Sequence, residues 1–178
     1  KDGERYQTVY ARRAASAAAP TAGLHFTPEL IDAVTATGAQ IHRVELVVGL
    51  DTFKPISTDN PLDHVIHSEM YNIEPSVIEA CASANRVIAI GTTAVRALES
   101  AASSGNLSGR TNIFITPGYE WKIVDVMLTN FHLPKTSLLL MIESFVGKRW
   151  RQLYATAIEM EYRFLSFGDA MLISREKN

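Results

Sequence analysis

With a single cysteine, Cys81, among 178 residues, the chain has no internal disulfide and no zinc site built on cysteine. Cys81 lies in an apolar helical stretch and reads as packing. No apolar run reaches the length that spans a bilayer, and Leu138 to Ile142 is cut off by Glu143. Charge of one sign is scarce as well. Lys and Arg number 17 against 19 Asp and Glu, a formal net charge of −2, which argues against a protein that coats nucleic acid non-specifically. Local basic patches remain at Arg12-Arg13 and Lys148-Arg149-Trp150-Arg151. The N-terminal Lys1-Asp2-Gly3-Glu4-Arg5 lacks the apolar region of a signal peptide. The expectation is a cytoplasmic protein without membrane contact. The chain opens on Lys1 rather than Met and is expected to be a piece of something longer. No GxGxxG occurs, so a dinucleotide fingerprint is absent.

What is present is a globular composition, 47% apolar and 20% charged, long enough for one domain with a core. The pattern predicts helices over Pro28–Thr37, from Glu74 to about Ala84, and over Ala94–Ala102, Thr136–Phe145 and Arg151–Glu161. Strands are predicted over Ile41–Val48, the end of His64–Ile73, Arg86–Ile90, Asn112–Ile115, Tyr119–Val124 and Ala170–Ile173, with Met127–Thr129 brief and extended. Ser103–Gly109 reads as a flexible loop, Gly49–Asn60 as a loop, and the Ala-rich Ala14–Ala19 as a packed connection. Alternating strands and helices imply α/β architecture, a single domain over 1–178 with helices on a mostly parallel sheet. Ligands of such sheets lie beyond the carboxyl ends of the strands.

That rule selects loops rich in polar chemistry. Pro20-Thr21-Ala22-Gly23-Leu24-His25-Phe26-Thr27 delivers Gly23, His25 and Phe26 to the start of a helix capped by Thr27, with Pro28 in its first turn. Gly91-Thr92-Thr93-Ala94-Val95-Arg96 follows a strand. Thr92, Thr93 and Arg96 offer hydroxyls and a cation suited to a carboxylate, unless Thr92 only caps the helix and Arg96 pairs at the surface. His64-Val65-Ile66-His67-Ser68-Glu69 sets His67 and Glu69 on one face of an extended segment, a usual way to tune a general base; zinc ligation by the His and Glu side chains is the competing reading. Asn130, His132 and Lys135 crowd into a loop held by Pro134, with Thr136 or Ser137 capping the next helix. Tyr162 to Asp169 gathers aromatics that read as core and leaves Asp169 at a loop tip.

Taken in order, Arg5-Tyr6-Gln7-Thr8-Val9-Tyr10, the loop Ala19 to Thr27, His67-Ser68-Glu69, Gly91 to Arg96, Pro117-Gly118-Tyr119, Thr129 to Lys135 and Tyr162 to Ile173 resemble the S-adenosylmethionine:tRNA ribosyltransferase-isomerases. The resemblance runs along essentially the whole chain and matches roughly the second half of the family sequence. It implies transfer and isomerisation of the ribosyl part of S-adenosylmethionine onto 7-aminomethyl-7-deazaguanine in tRNA, giving epoxyqueuosine while adenine and methionine leave. S-adenosylmethionine is then a substrate, no separate cofactor or metal is expected, tRNA is the acceptor, and a monomer is favoured. The family's N-terminal segment and inserted β-barrel have no counterpart in these residues, so the chain is expected to be the C-terminal part of a larger discontinuous domain. On this resemblance His67 with Glu69 is the candidate base pair, and His132 is a further candidate catalytic residue in contact with substrate. Arg96 with Thr92 and Thr93 is the candidate carboxylate holder, and Gly23, His25, Phe26, Asn130 and Lys135 are candidate substrate contacts. The four loops are expected to line one pocket. Two positions depart from the family pattern Leu-His-Val-Gly-x-Gly-Thr-Phe: Val47 stands for His and Asp51 for Gly in Leu46 to Phe53. They motivate two alternatives, a related S-adenosylmethionine-using enzyme with another acceptor and a catalytically silent RNA- or metabolite-binding fragment.

Overall fold

The computed structural model describes residues 7–11, 16, 19–49, 56, 58 and 60–175. Among them are five α-helices: α1 Pro28–Ala36, α2 Pro75–Ser83, α3 Thr92–Ser104, α4 Ser137–Val146 and α5 Trp150–Glu159. The strands are β1 Glu45–Val47, β2 Glu69–Asn72, β3 Ile88–Ile90, β4 Ser108–Thr111, β5 Val126–Asn130 and β6 Ala170–Ser174. Local chemistry sets the helix ends. The Thr27 hydroxyl accepts from Leu30 N–H at 3.2 Å and the Thr136 hydroxyl from Leu139 N–H at 3.3 Å, each satisfying a first-turn donor that has no intrahelical partner. The Ala14–Ala19 connection, the Gly49–Asn60 loop and the Arg12-Arg13 pair lie largely or wholly outside the described residues.

Helices pack on two three-stranded sheets, ordered β1-β2-β4 and β3-β5-β6. Among the described residues no closed barrel forms. The expected mostly parallel pairing is corrected: only β3–β5 is parallel, while β1–β2, β2–β4 and β5–β6 are antiparallel. The cause lies in the connections. One helix, α3, carries the chain from the β3 end back across the sheet before β5, as a parallel crossover requires. Two helices, α4 and α5, intervene between β5 and β6, so the chain re-enters the sheet from the end at which it left.

α3 touches both sheets, contacting β1 on one side and β3 and β5 on the other. Its Val95, Ala97, Leu98 and Ala101 join Met127 of β5 and Ile142, Phe145 and Val146 of α4 in one apolar core. β5, expected to be only a brief extended piece, is the central strand of its sheet, with four of its five residues buried.

The predicted strand Tyr119–Val124 is instead a loop, because its donors are claimed elsewhere. Glu99, wholly buried on α3, accepts from the backbone N–H groups of Lys122, Ile123 and Val124 and from the Tyr119 hydroxyl, each at 3.0 Å. Burial beside that carboxylate pushes the Tyr119 phenol up to about 12. The predicted strand at Asn112–Ile115 lies earlier, at Ser108–Thr111. There the backbone pairs with β2, and the Arg110 side chain donates to the Ser68 hydroxyl and carbonyl at 3.0 and 2.7 Å.

Candidate functional site

Two of the loops meet through a buried ion pair. Arg96, on the second turn of α3, donates from Nη1 to Glu69 Oε2, and both side chains are almost fully buried. The other carboxylate oxygen, Oε1, accepts the Gly49 N–H at 3.1 Å. Glu69 alternates with Met70 along β2, so Glu69 and Tyr71 turn inward while Met70 and Asn72 turn out. Burial pulls the Arg96 guanidinium below its ordinary range, and Glu69 pulls it back up.

Arg96 also lines a narrow cleft that opens to solvent. His64, His67 and the first residues of α4, Ser137 and Leu138, also line it, and Ile113, Ile115 and Met141 supply apolar lining. The structure thus brings Arg96 together with His67 and Glu69, which share a separate sequence motif. Glu69 serves Arg96 rather than only an imidazole. No sequence signal pointed to that partner, because 27 residues separate the two. From the sequence His64 reads only as a candidate metal ligand, and Ser137 only as a helix cap. Among the described residues no group of three or more His, Cys, Asp or Glu side chains is arranged to hold a metal ion.

A second gathering centres on the 3-10 turn Thr21–His25. The Thr21 hydroxyl donates to Asn130 Oδ1 at 2.9 Å, fastening the turn to the carboxyl end of β5. Asn130 is buried, and its Nδ2 reaches the Asp169 carbonyl at 3.5 Å. Gly23 is buried where a Cβ would overlap the Tyr10 hydroxyl, so any larger residue there requires the Tyr10 side chain to shift. Phe26 closes the turn through its N–H to the Gly23 carbonyl at 3.1 Å. His25 is exposed at the turn's end. The Asp169 carboxyl is held down to about 2, first by the Arg163 side chain and backbone and in smaller part by the nearby His25. Gly91 adopts φ 89°, a left-handed conformation suited to glycine, and faces Ala22 of the same turn. The start of α3, with Thr92 and Thr93 half-buried, therefore adjoins this second gathering, while Arg96 one turn on reaches the cleft.

His132 is enclosed. Its Nε2 is 3.0 Å from the Thr129 hydroxyl, and its backbone N–H donates to the Tyr154 hydroxyl at 3.0 Å. Burial pushes its imidazole down to about 4, leaving it neutral near pH 7. Lys135 is exposed in a left-handed conformation, φ 58°, and its carbonyl accepts the Ile56 N–H at 2.8 Å. In the last aromatic cluster Phe164 packs on Phe131 and Tyr154, as core, whereas Phe167 is 57% exposed. Val47 stands opposite Met70 in the ladder, and directly opposed residues share a face, so Val47 lies on the side of the sheet away from Glu69. Asp51 lies outside the described residues.

The family model described as "Queuosine biosynthesis protein" matches residues 1–173. The chain belongs to this family. It is 50% identical to the S-adenosylmethionine:tRNA ribosyltransferase-isomerase of Acaryochloris marina, with 97% of this chain and 49% of that protein covered. Identity to the protein of the same name from Carboxydothermus hydrogenoformans is also 50%, covering 97% and 54%. The crystal structure of the S-adenosylmethionine tRNA ribosyltransferase of Thermotoga maritima is similar with a TM-score of 0.71 and 39% identity, over 85% of this chain and 51% of that one. The chain spans about half the length of the relatives it matches. No helix among the described residues is long and apolar enough to cross a membrane.

Proposed function

We propose that the chain forms part of an S-adenosylmethionine:tRNA ribosyltransferase-isomerase, the C-terminal part of a discontinuous domain. It acts in the cytoplasm on S-adenosylmethionine and on tRNA carrying 7-aminomethyl-7-deazaguanine. Family membership supports this reading. The observation that carries it to particular residues is the Glu69–Arg96 pair, which joins two family motifs at a cleft bordered by the start of α4.

The chemistry asks for three things. The sulfonium acidifies the C5′ hydrogens, so a base must take one; the methionine carboxylate must be held; and the oxygens and nitrogens of the leaving adenine and opened ribose need donors. His67, in the cleft wall, is the proposed base. Arg96 is the proposed carboxylate holder. Glu69 orients Arg96, and this arrangement supports a positioning role for it. Gly23 and Phe26 shape the turn that presents His25, and His25 and Lys135 are the exposed candidates for contact with the RNA acceptor. Asn130 and His132 are already engaged by protein groups, which supports a role in fixing that turn and the β5 end. Once the proton leaves C5′, the ribose opens, adenine departs, the amine of the modified guanine attacks, and methionine is released.

The test is to incubate the complete gene product with S-adenosylmethionine and tRNA bearing the aminomethyl base. Adenine is followed by liquid chromatography and epoxyqueuosine in the digested tRNA. Both products are expected. Adenine without the modified nucleoside would favour a different acceptor, and absence of both would favour a binding fragment.

A further inference from the structure

The Arg96 guanidinium is only half used. Nη1 serves Glu69, while Nη2 is buried with no hydrogen-bond partner among the described residues. Buried donors are ordinarily paired, so an orphaned one bordering a cleft marks a place for an acceptor that the described residues do not supply. The start of α4, which also lines the cleft, supplies more donors. Ser137 and Leu138 open the ten-residue α4, and the Thr136 cap takes the N–H of Leu139. Helix geometry leaves the N–H groups of Ser137 and Leu138 without intrahelical acceptors, at the positive end of the helix dipole. The lining between includes Ile113, Ile115 and Met141, so polar contacts there act in a poorly screened setting.

We propose that this cleft holds one compact oxyanion, a carboxylate or a phosphate, between Arg96 Nη2 and the first N–H groups of α4. The inference rests on the functional reading, which supplies two sources of that chemistry: the amino-acid carboxylate of S-adenosylmethionine and a backbone phosphate of the tRNA. It assigns Ser137 and Leu138, rather than Thr92 and Thr93, as the partners of Arg96. Glu69 is the positioning residue. By taking Nη1 while the Gly49 N–H holds its other oxygen, it fixes the plane of the guanidinium and leaves Nη2 for the ligand. Because Glu69 already balances the Arg96 charge, the site selects by donor geometry and favours an oxyanion with two spaced oxygens over a simple halide.

Two variants probe it in the complete protein. Arg96→Lys keeps a cation for Glu69 but has no second nitrogen to offer the cleft. Ser137→Pro removes one N–H and the hydroxyl at a helix position where proline is tolerated. Titration calorimetry uses S-adenosylmethionine, its decarboxylated analogue and an anticodon stem-loop RNA, with inorganic phosphate as competitor. If the anion is the carboxylate, wild type prefers S-adenosylmethionine to the analogue by about tenfold or more, phosphate competes, and each variant erases the preference. If it is an RNA phosphate, each variant weakens RNA binding by about tenfold and leaves S-adenosylmethionine unchanged. Folded variants that bind every probe like wild type overturn the proposal, as does phosphate that competes with neither ligand. Should Arg96→Lys not fold, Ser137→Pro carries the test alone. If wild type binds neither S-adenosylmethionine nor RNA, the functional reading fails. Phosphate alone, followed by phosphorus NMR, then decides the anion site: saturable binding weakened by the variants supports it, and no binding overturns it.

Discussion

Replacing Glu99 by Gln is the sharpest probe of how this fold is held. The carboxylate shares four donors: Oε1 takes the N–H groups of Ile123 and Val124, and Oε2 takes the Lys122 N–H and the Tyr119 hydroxyl, all at 3.0 Å. An amide of the same shape keeps one accepting oxygen for two N–H groups. Its NH₂ then meets the Tyr119 hydroxyl, which can turn to accept, and the Lys122 N–H, which cannot. One buried N–H without an acceptor costs about 1–3 kcal/mol. Losing charge assistance on the two retained bonds costs roughly 1 kcal/mol each, and relief of the buried charge's desolvation offsets part of the total. The net expectation is about 2–3 kcal/mol, or roughly 4–12 °C in Tm for a chain of this size. Urea titration reads the stability, and Trp121 gives a local signal. Its indole donates to the Ser144 carbonyl and hydroxyl at 3.2 Å and packs edge-on against Phe145 at 4.7 Å, so loosening of residues 119–124 shifts its emission. A loss below about 1 kcal/mol, with Trp121 emission unchanged, would show that these N–H groups have other acceptors and refute the reasoning.

Three further outcomes follow from the geometry. His132 is held at about 4 against an ordinary 6.5, so the unfolded chain binds a proton that the folded one does not. Its contribution is complete above pH 6.5 and is lost as the pH falls towards 4, by on the order of 3 kcal/mol; urea midpoints at pH 7.5 and 4.5 should diverge less in His132→Gln than in wild type. Gly23→Ala drives a methyl into the Tyr10 hydroxyl and should cost about 1–3 kcal/mol, partly recovered with Tyr10→Phe, in thermal melts of the single and double variants. Val47→His, on the far side of the sheet from Glu69, should leave S-adenosylmethionine affinity within about twofold by calorimetry, and a tenfold change would mean that this face reaches the site.

Features set by neighbours in sequence were legible before the structure. Thr27, Pro28 and Gly38 bracket α1, and Thr136 starts α4, because caps act over three or four residues. The departures arise where a distant group intervenes. Residues 119–124 look like a strand by alternation, yet their donors go to a carboxylate 23 or more residues earlier in the chain. Ser108 and Gly109 belong to a stretch, Ser103–Gly109, that reads as a loop by composition, yet with Arg110 and Thr111 their backbone completes a sheet edge, which needs no particular side chain. At the site, His64, His67 and Arg96 from two of the motifs line one cleft. The Glu69–Arg96 partnership and the role of the α4 terminus depend on tertiary placement, which no local pattern encodes.

One helix carries both buried anchors. Arg96 and Glu99 lie three positions apart on α3, so about one turn separates the guanidinium that serves the cleft from the carboxylate that gathers residues 119–124. The helix therefore works as a ruler. Adding or deleting a single residue between them would rotate one anchor by about 100° relative to the other and break a site together with part of the frame. Length variation in this region should be absent within Arg96–Glu99 and confined to the turn past Ser104, where Gly105 ends the helix in a left-handed conformation.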